Sequence, residues 1–373
     1  MPRCLGSPTQ ADEKAEGGLG MNDLTTLKQH HFTQTKLEVP KIQRREIAFQ
    51  NEGAPGPSDR ARYFESVEEL TKHIQDNPRI EAVYASMAYY LDPQVYSPSK
   101  RGHLGYDLVF DVDMEHTHEN RVEWMHEVCY RTSALVHILV EELGLNKDDM
   151  VLDFSGGKGF HITIEDEAYI NLSKEARTDL CNYIKGEKVV RKAITIGKGG
   201  WNNRYRNYIN RIAKLMTDDK KVNEARLLSL GLPKVTAKKI SGLMNDAANR
   251  NKVSEGHLGL FDEKIKKSLV DNFYNEQKEI FSCVDKKVTP DKHRILRVPG
   301  SIHPKTGLVA ARLEPSDIDD PDVIFEKIKI AGGLDEVEIV LEEDTLEDFT
   351  NKKLWTAGTH TVPRWLALHL LRQ

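Results

Sequence analysis

Tyr106-Asp107-Leu108-Val109-Phe110-Asp111-Val112-Asp113 is a short apolar run that closes on two carboxylates one residue apart. Leu108, Val109 and Phe110 favour a strand, and a strand alternates its side chains between two faces, so Asp111 and Asp113 share one face about 7 Å apart. Two acids held that way repel each other. A hard divalent cation relieves the repulsion, and oxygen ligands of this kind suit Mg²⁺ or Mn²⁺. A solvent-facing strand end would carry the same pair without chemistry, so the choice rests on the rest of the chain.

Two other stretches point to the same chemistry. Val151-Leu152-Asp153-Phe154-Ser155-Gly156-Gly157-Lys158-Gly159-Phe160-His161-Ile162-Thr163-Ile164 reads as a strand, a glycine-rich turn and a second strand. The glycines let backbone N–H groups turn toward one point as an anion nest, and Lys158 adds a positive charge there. This is not a Walker loop, because GxxxxGK[ST] is missing and no helix follows at once. Alternation puts Phe160, Ile162 and Ile164 on one face and His161 on the other, toward whatever the loop holds. A plain hairpin with a satisfied histidine is the alternative. Farther on, Arg297, His303 and Lys305 fall within nine residues around the turn signals Pro299-Gly300 and Pro304-Lys305-Thr306-Gly307, where they can converge on a polyanion.

Around these lie supporting elements. Arg44–Phe49 and Glu81–Met87 read as strands, and Ser66-Val67-Glu68-Glu69 opens a helix over 66–76 with a capping-box pattern. His116, His118, His126 and Cys129 are ligand types that zinc accepts; equally, His126 and Cys129 open an amphipathic helix whose cysteine is core. From Ser173 to Gln277 the pattern turns helical. Its densest basic part, Lys185 to Lys214, interleaves Trp201, Tyr205 and Tyr208 among the cations, as single-strand binding by stacking would use, or as a solvated face would carry. Leu228 to Ile240 faintly resembles a helix-hairpin-helix, with Pro233 in place of the second hairpin glycine.

The 373 residues are 39% hydrophobic and 30% charged, enough for a large core in two or three domains. No apolar run approaches the ~20 residues that cross a bilayer, and the amino terminus lacks the apolar core of a signal peptide, so a cytoplasmic protein is expected. Cys4, Cys129, Cys181 and Cys283 form no CxxC pair, which argues against a disulfide framework. With a net charge of -5, any nucleic-acid contact needs a local basic surface.

In this order, YDLVFDVD (106–113), SGGKGFH (155–161) and DKKVTPDKHRILRVPGSIHPKTGL (285–308) resemble the catalytic small subunit of archaeal and eukaryotic replicative DNA primases, nearest the archaeal type. The resemblance runs from about Arg44 onward and includes Gly358–Pro363. It implies Asp111, Asp113 and Asp285 as the metal-binding carboxylates, with Asp291 competing for the third place. It implies Ser155, Lys158, His161, Arg297 and His303 as holders of the incoming triphosphate, to which Lys305 is added, and Glu46 and Arg62 as nearby active-site residues. Two departures stand out: Gly157 occupies a position that is basic in many relatives, and His116, His118, His126 and Cys129 replace a cysteine-rich zinc knuckle.

The resemblance also sets the larger expectations. The fold is an α/β, mixed-sheet archaeo-eukaryotic primase core, not a Rossmann unit, with residues 26–172 and 279–373 as the core, 173–278 as a mainly helical insertion and 1–25 as a disordered tail. The activity is de novo primer synthesis on single-stranded DNA from nucleoside triphosphates by two Mg²⁺ or Mn²⁺ ions, in a heterodimer with a primase large subunit and associated with the nucleoid. A repair primase-polymerase and a non-catalytic nucleic-acid-binding subunit are the other readings; the intact aspartate set speaks against the latter.

Overall fold

The run from Leu108 to Asp113 is a strand with both faces covered: Leu108, Phe110 and Val112 lie in the main hydrophobic core, and Val109 lies in a smaller cluster with Met87, Tyr90, Tyr106 and Val288. The architecture around it comes from a computed structural model that describes residues 23–115, 121–350 and 352–373. The strands are β1 (Ile47–Asn51), β2 (Asp59–Arg62), β3 (Ile80–Ser86), β4 (Ala88–Tyr90), β5 (His103–Tyr106), β6 (Leu108–Asp113), β7 (Met150–Phe154), β8 (Gly159–Ile164), β9 (Ile295–Arg297) and β10 (Ala311–Leu313). Four more, β11 (Glu336–Leu341), β12 (Thr345–Glu347), β13 (Lys353–Trp355) and β14 (Gly358–Pro363), make two small antiparallel pairs, β11 with β14 and β12 with β13. The helices are α1 (Leu24–Gln34), α2 (Val67–Gln75), α3 (Arg121–Glu141), α4 (Lys174–Lys185), α5 (Gly200–Leu215), α6 (Lys220–Ser229), α7 (Lys234–Met244), α8 (Ala247–Ser254), α9 (Glu263–Ile280), α10 (Pro321–Gly332) and α11 (Arg364–Leu370).

Two four-stranded sheets carry the site, one ordered β2-β1-β3-β9 and the other β10-β7-β8-β6. Every neighbouring pair in them is antiparallel, so the fold is mixed in combining helix and sheet rather than in strand direction. In the second sheet Asp111 faces His161 and Asp113 faces Gly159. A Cβ at Gly159 would sit 1.7 Å from the Val112 carbonyl oxygen, so only glycine lets β8 pass this close beside the acids. At the other edge of β6, Val284 bridges Val112 and the Asp285 N–H donates to the Asp111 carbonyl at 2.8 Å. In the first sheet Arg297 faces Tyr84.

Helix α3 turns Trp124, Val128, Thr132, Leu135 and Leu139 inward as a buried stripe at helical spacing, its apolar members in the same main core as Leu108, Phe110 and Val112. Helix α1 starts at Leu24, inside the expected tail 1–25, and Asp23 caps it by accepting from the Thr26 N–H; residues 1–22 lie outside the described residues. Ser66 caps α2 as its sequence predicts, accepting from the Glu69 N–H, while the Glu69 carboxylate takes the Glu65 N–H at 2.7 Å. Helices α5 to α9 pack round a hydrophobic cluster of their own, built by Tyr205, Ile209, Leu227, Ala237, Ile240, Leu269 and Phe273. Trp201, Tyr205 and Tyr208 belong to that cluster, 7%, 2% and 3% exposed. The stacking platform read from the sequence is therefore corrected: spacings of three and four along α5 put these rings on one helix face, and that face is the core.

Candidate active site

A cleft opens between the two sheets, walled by Asp111, Asp113 and His161 on one side and by Tyr84, Arg294 and Arg297 on the other. The turn between β7 and β8 supplies Ser155, Gly157 and Lys158, and the loop between β9 and β10 supplies His303, Lys305 and Thr306. Eight of the site residues singled out in the sequence thus meet here, from segments nearly two hundred residues apart.

The acidic wall is only partly compensated. Burial, and then the charges of Asp113 and Asp285, push the Asp111 carboxyl up to about 7. Burial raises that of the more exposed Asp113 as well, opposed by Lys158. The His161 Nε2 lies 3.8 Å from Asp111 Oδ1, but burial and the charge of Arg297 drive the imidazole down to about 3, so it sits there neutral. Asp285 enters beside them with its Oδ1 accepting the Lys287 N–H at 2.9 Å. Among the described residues no three His, Cys, Asp or Glu side chains converge as a closed metal cluster; the arrangement is an acidic pair with a third carboxylate adjacent. Asp291, the competing third acid, instead caps the His293 N–H at 3.0 Å.

The opposite wall carries a half-buried cation. Arg297 donates through Nη1 to the Ser155 carbonyl at 2.5 Å and through Nη2 to the Tyr84 hydroxyl at 2.9 Å, while its buried Nε has no acceptor. No carboxylate pairs with it among the described residues. Burial pulls its pKa down, the signature of a charge short of a counterion. His303 is tuned as a donor: its Nδ1 accepts the N–H groups of Lys305 and Thr306, both at 3.2 Å, which leaves the hydrogen on Nε2. Burial and Arg297 lower this imidazole to about 3. A Cβ at Gly157 would stand 2.8 Å from that Nε2. The missing basic residue at 157 is therefore the space His303 occupies.

Other expectations change. The nest read from the glycines is filled from within, since the N–H groups of Gly157 and Gly159 approach the Ser155 Oγ at 3.3 Å; the serine hydroxyl, not the bare backbone, faces outward. Lys158 is exposed and paired with Glu115 at the acidic end. Glu46 and Arg62 do not line the cleft. Glu46 is 1% exposed and enclosed by Arg60, Arg101 and the Ala61 N–H, and Arg62 is exposed and pairs with Asp59. His126 is exposed while Cys129 is 1% exposed in the core, its thiol pushed up to about 12 by burial, so the two do not share a ligand site. His116 and His118 lie outside the described residues.

The sequence reading missed Arg294, whose charge lowers both Asp111 and Asp113; it stands three residues before Arg297 and was visible only as one more cation. It also missed a relay behind His303. The His369 ring on α11, fully buried, binds the Thr306 carbonyl through Nδ1 at 2.6 Å and Asp348 through Nε2 at 3.1 Å, and Asp348 also receives Arg121. Thr306 Oγ1 donates to the Gly156 carbonyl at 2.6 Å. One threonine thus ties His303, the serine turn and α11 together, and nothing in local sequence joins residues 63 positions apart.

Clustered acids facing a half-buried arginine without an ion pair across one cleft are the arrangement of an enzyme of phosphoryl or nucleotidyl transfer. A family model described as DNA primase small subunit matches residues 110–315, which span both walls. The DNA primase small subunit PriS of Picrophilus torridus is 28% identical over 82% of this chain and 85% of its own. That of Pyrobaculum arsenaticum is 30% identical over 76% and 75%, and that of Methanothrix thermoacetophila 25% identical over 92% and 95%. The chain belongs to the DNA primase small-subunit family, nearest its archaeal members, and is an enzyme of primer synthesis on DNA in replication.

Proposed function

We propose that the cleft joins nucleotides de novo into short primers on a single-stranded DNA template, with Asp111, Asp113 and Asp285 as the metal-holding carboxylates. The observation that carries this reading is that the buried Asp111 and the half-buried Arg297, of opposite sign, face one cleft and neither is ion-paired with an opposite charge among the described residues. The acid excess at Asp111 is what a divalent cation would relieve, and all-oxygen ligands suit Mg²⁺ or Mn²⁺. Ions held there would polarise the α-phosphate and make the attacking 3′-hydroxyl more acidic.

The protein's own groups do the rest. Arg297, the His303 Nε2–H and the Ser155 hydroxyl bind the triphosphate of the incoming nucleotide, with Lys158 and Lys305 at the cleft mouth. As the bond to the leaving pyrophosphate breaks, negative charge grows on its oxygens, and these donors are already fixed to receive it. His161, kept neutral by burial, donates to phosphate without competing as a cation for the acids. Residues 26–172 and 279–373 form the catalytic core in this reading, and 173–278 a helical insertion with its own apolar cluster. A primase large subunit is the partner proposed for start and length control.

Primer synthesis on an unprimed single-stranded template with labelled nucleotides and Mg²⁺ or Mn²⁺, alone and with a large subunit, tests the reading. Oligomers that vanish on chelation and in Asp111→Ala are expected. Extension of supplied primers only, by the wild type, would overturn it.

A further inference from the structure

The helical segment contains a charged face that the cleft does not use. Helices α6 and α7 run as a hairpin joined through Leu230–Pro233, with Gly231 at φ +81° and Leu227, Leu232, Ala237 and Ile240 packed beneath. Between 220 and 239 the sequence holds Lys220, Lys221, Arg226, Lys234, Lys238 and Lys239 against Glu224 alone, in a chain whose net charge is -5. Lys234 and Lys238, one helical turn apart, are exposed, and Lys264 and Lys267 of α9 line the recess beside Gly231 and Pro233. Nearby acids are already paired: Asp262 with Lys239 of the hairpin, and Asp271, in the same recess, with Arg191. Among the described residues Lys234, Lys238, Lys264 and Lys267 have no ion pair. Leu228 and Val235, 41% and 71% exposed, flank the turn.

We propose that this hairpin face docks the sugar-phosphate backbone of double-helical nucleic acid, the template paired with its primer, outside the catalytic cleft. Four unpaired lysines on packed helices give a fixed cationic surface, and a duplex is the polyanion whose charges are also fixed and densest. Single strands are held by base stacking as well as charge. Helices α6 and α7 and the turn between them hold no Phe, Trp or Tyr, so the face can grip phosphate but not stack on bases. Pro233 removes an amide that a second hairpin glycine would offer, which leaves the contact to the lysine side chains. The choice of nucleic acid as occupant rests on the primase reading, but the charge geometry does not.

The test uses the full chain and fluorescence anisotropy on a blunt 20-base-pair duplex and on a single strand of the same length, at stepped salt. In Lys234→Glu/Lys238→Glu, duplex affinity should fall at least about tenfold near 0.1 M salt and the log–log salt slope should drop by about 2, near 0.9 per lost phosphate contact. Lys147→Glu/Lys174→Glu, an equal charge change at exposed sites elsewhere, should shift neither by more than about twofold. Thermal melting of both variants should match wild type; if wild type made no primers, the function would fail while the binding result still stood. An unchanged duplex slope, equal losses for both variants, or a loss confined to the single strand would each overturn the proposal, as would intact duplex binding with loss only of a protein partner.

Discussion

Glu46 and Asp111 are both nearly buried carboxylates on strands or strand edges of adjoining sheets, and the protein treats them in opposite ways. Arg60, Arg101 and a backbone amide close round Glu46; although burial alone would raise it, those partners hold its carboxyl below the usual range. Asp111 has acids for neighbours and is pushed up to about 7. The arginines divide likewise. Arg45 lies 2.7 Å from Asp107 and spends its other donors on carbonyls and the Tyr89 hydroxyl, whereas Arg297 has no acid partner among the described residues. A buried charge with its partners present holds the fold together, and one without them is waiting for a ligand.

That contrast fixes what each substitution should do. Asp111→Ala should lower primer synthesis by at least about a thousandfold, on the scale of losing a charge-stabilising group in an active site, while leaving the melting temperature unchanged or higher, because like-charge repulsion is relieved. Unfolding of the variant, seen by circular dichroism, would count against the contrast. Glu46→Ala should do the reverse: with the buried Arg101 guanidinium left uncompensated beside a half-exposed Arg60, stability should fall by about 3–5 kcal/mol in urea melts, and the folded fraction should keep its affinity for nucleotide. Arg297→Met should raise KM for the nucleoside triphosphate by about ten- to a hundredfold, the worth of one charged hydrogen-bonding group, without loss of stability. His369→Ala should raise that KM only about threefold to tenfold through a looser His303 loop, a loss of roughly one hydrogen bond, with kcat less affected.

The smallest effect concerns pH. Because the Asp111 carboxyl is raised in the folded chain, its contribution to stability is present below the unfolded value near 3.8 and is lost as pH climbs through about 7. Metal-free protein should therefore melt lower at pH 8 than at pH 6, and Mg²⁺ or Mn²⁺ should restore more at pH 8. Asp348 runs the other way. Burial would raise it, but the His369 hydrogen bond and Arg121 win and hold it at about 2, so its contribution is present above the unfolded value and disappears between about pH 4 and 2. Asp348→Asn should flatten that acid limb.

The sequence by itself determined the strand of Asp111 and Asp113, the strand-turn-strand that carries Ser155 and His161, and the cationic turn at 297–305. These are local: an apolar run with period two and a glycine turn specify themselves within a dozen residues. Together with the family resemblance they made most of the cleft readable before any geometry was known. Only the tertiary structure decided which charges are compensated. It turned Glu46 toward Arg60 and Arg101, buried Trp201, Tyr205 and Tyr208, closed the glycine turn on Ser155, and brought His369 to Thr306. The physical reason is that whether a charge or a ring is satisfied depends on its neighbours in space, and those neighbours come from strands and helices far away along the chain.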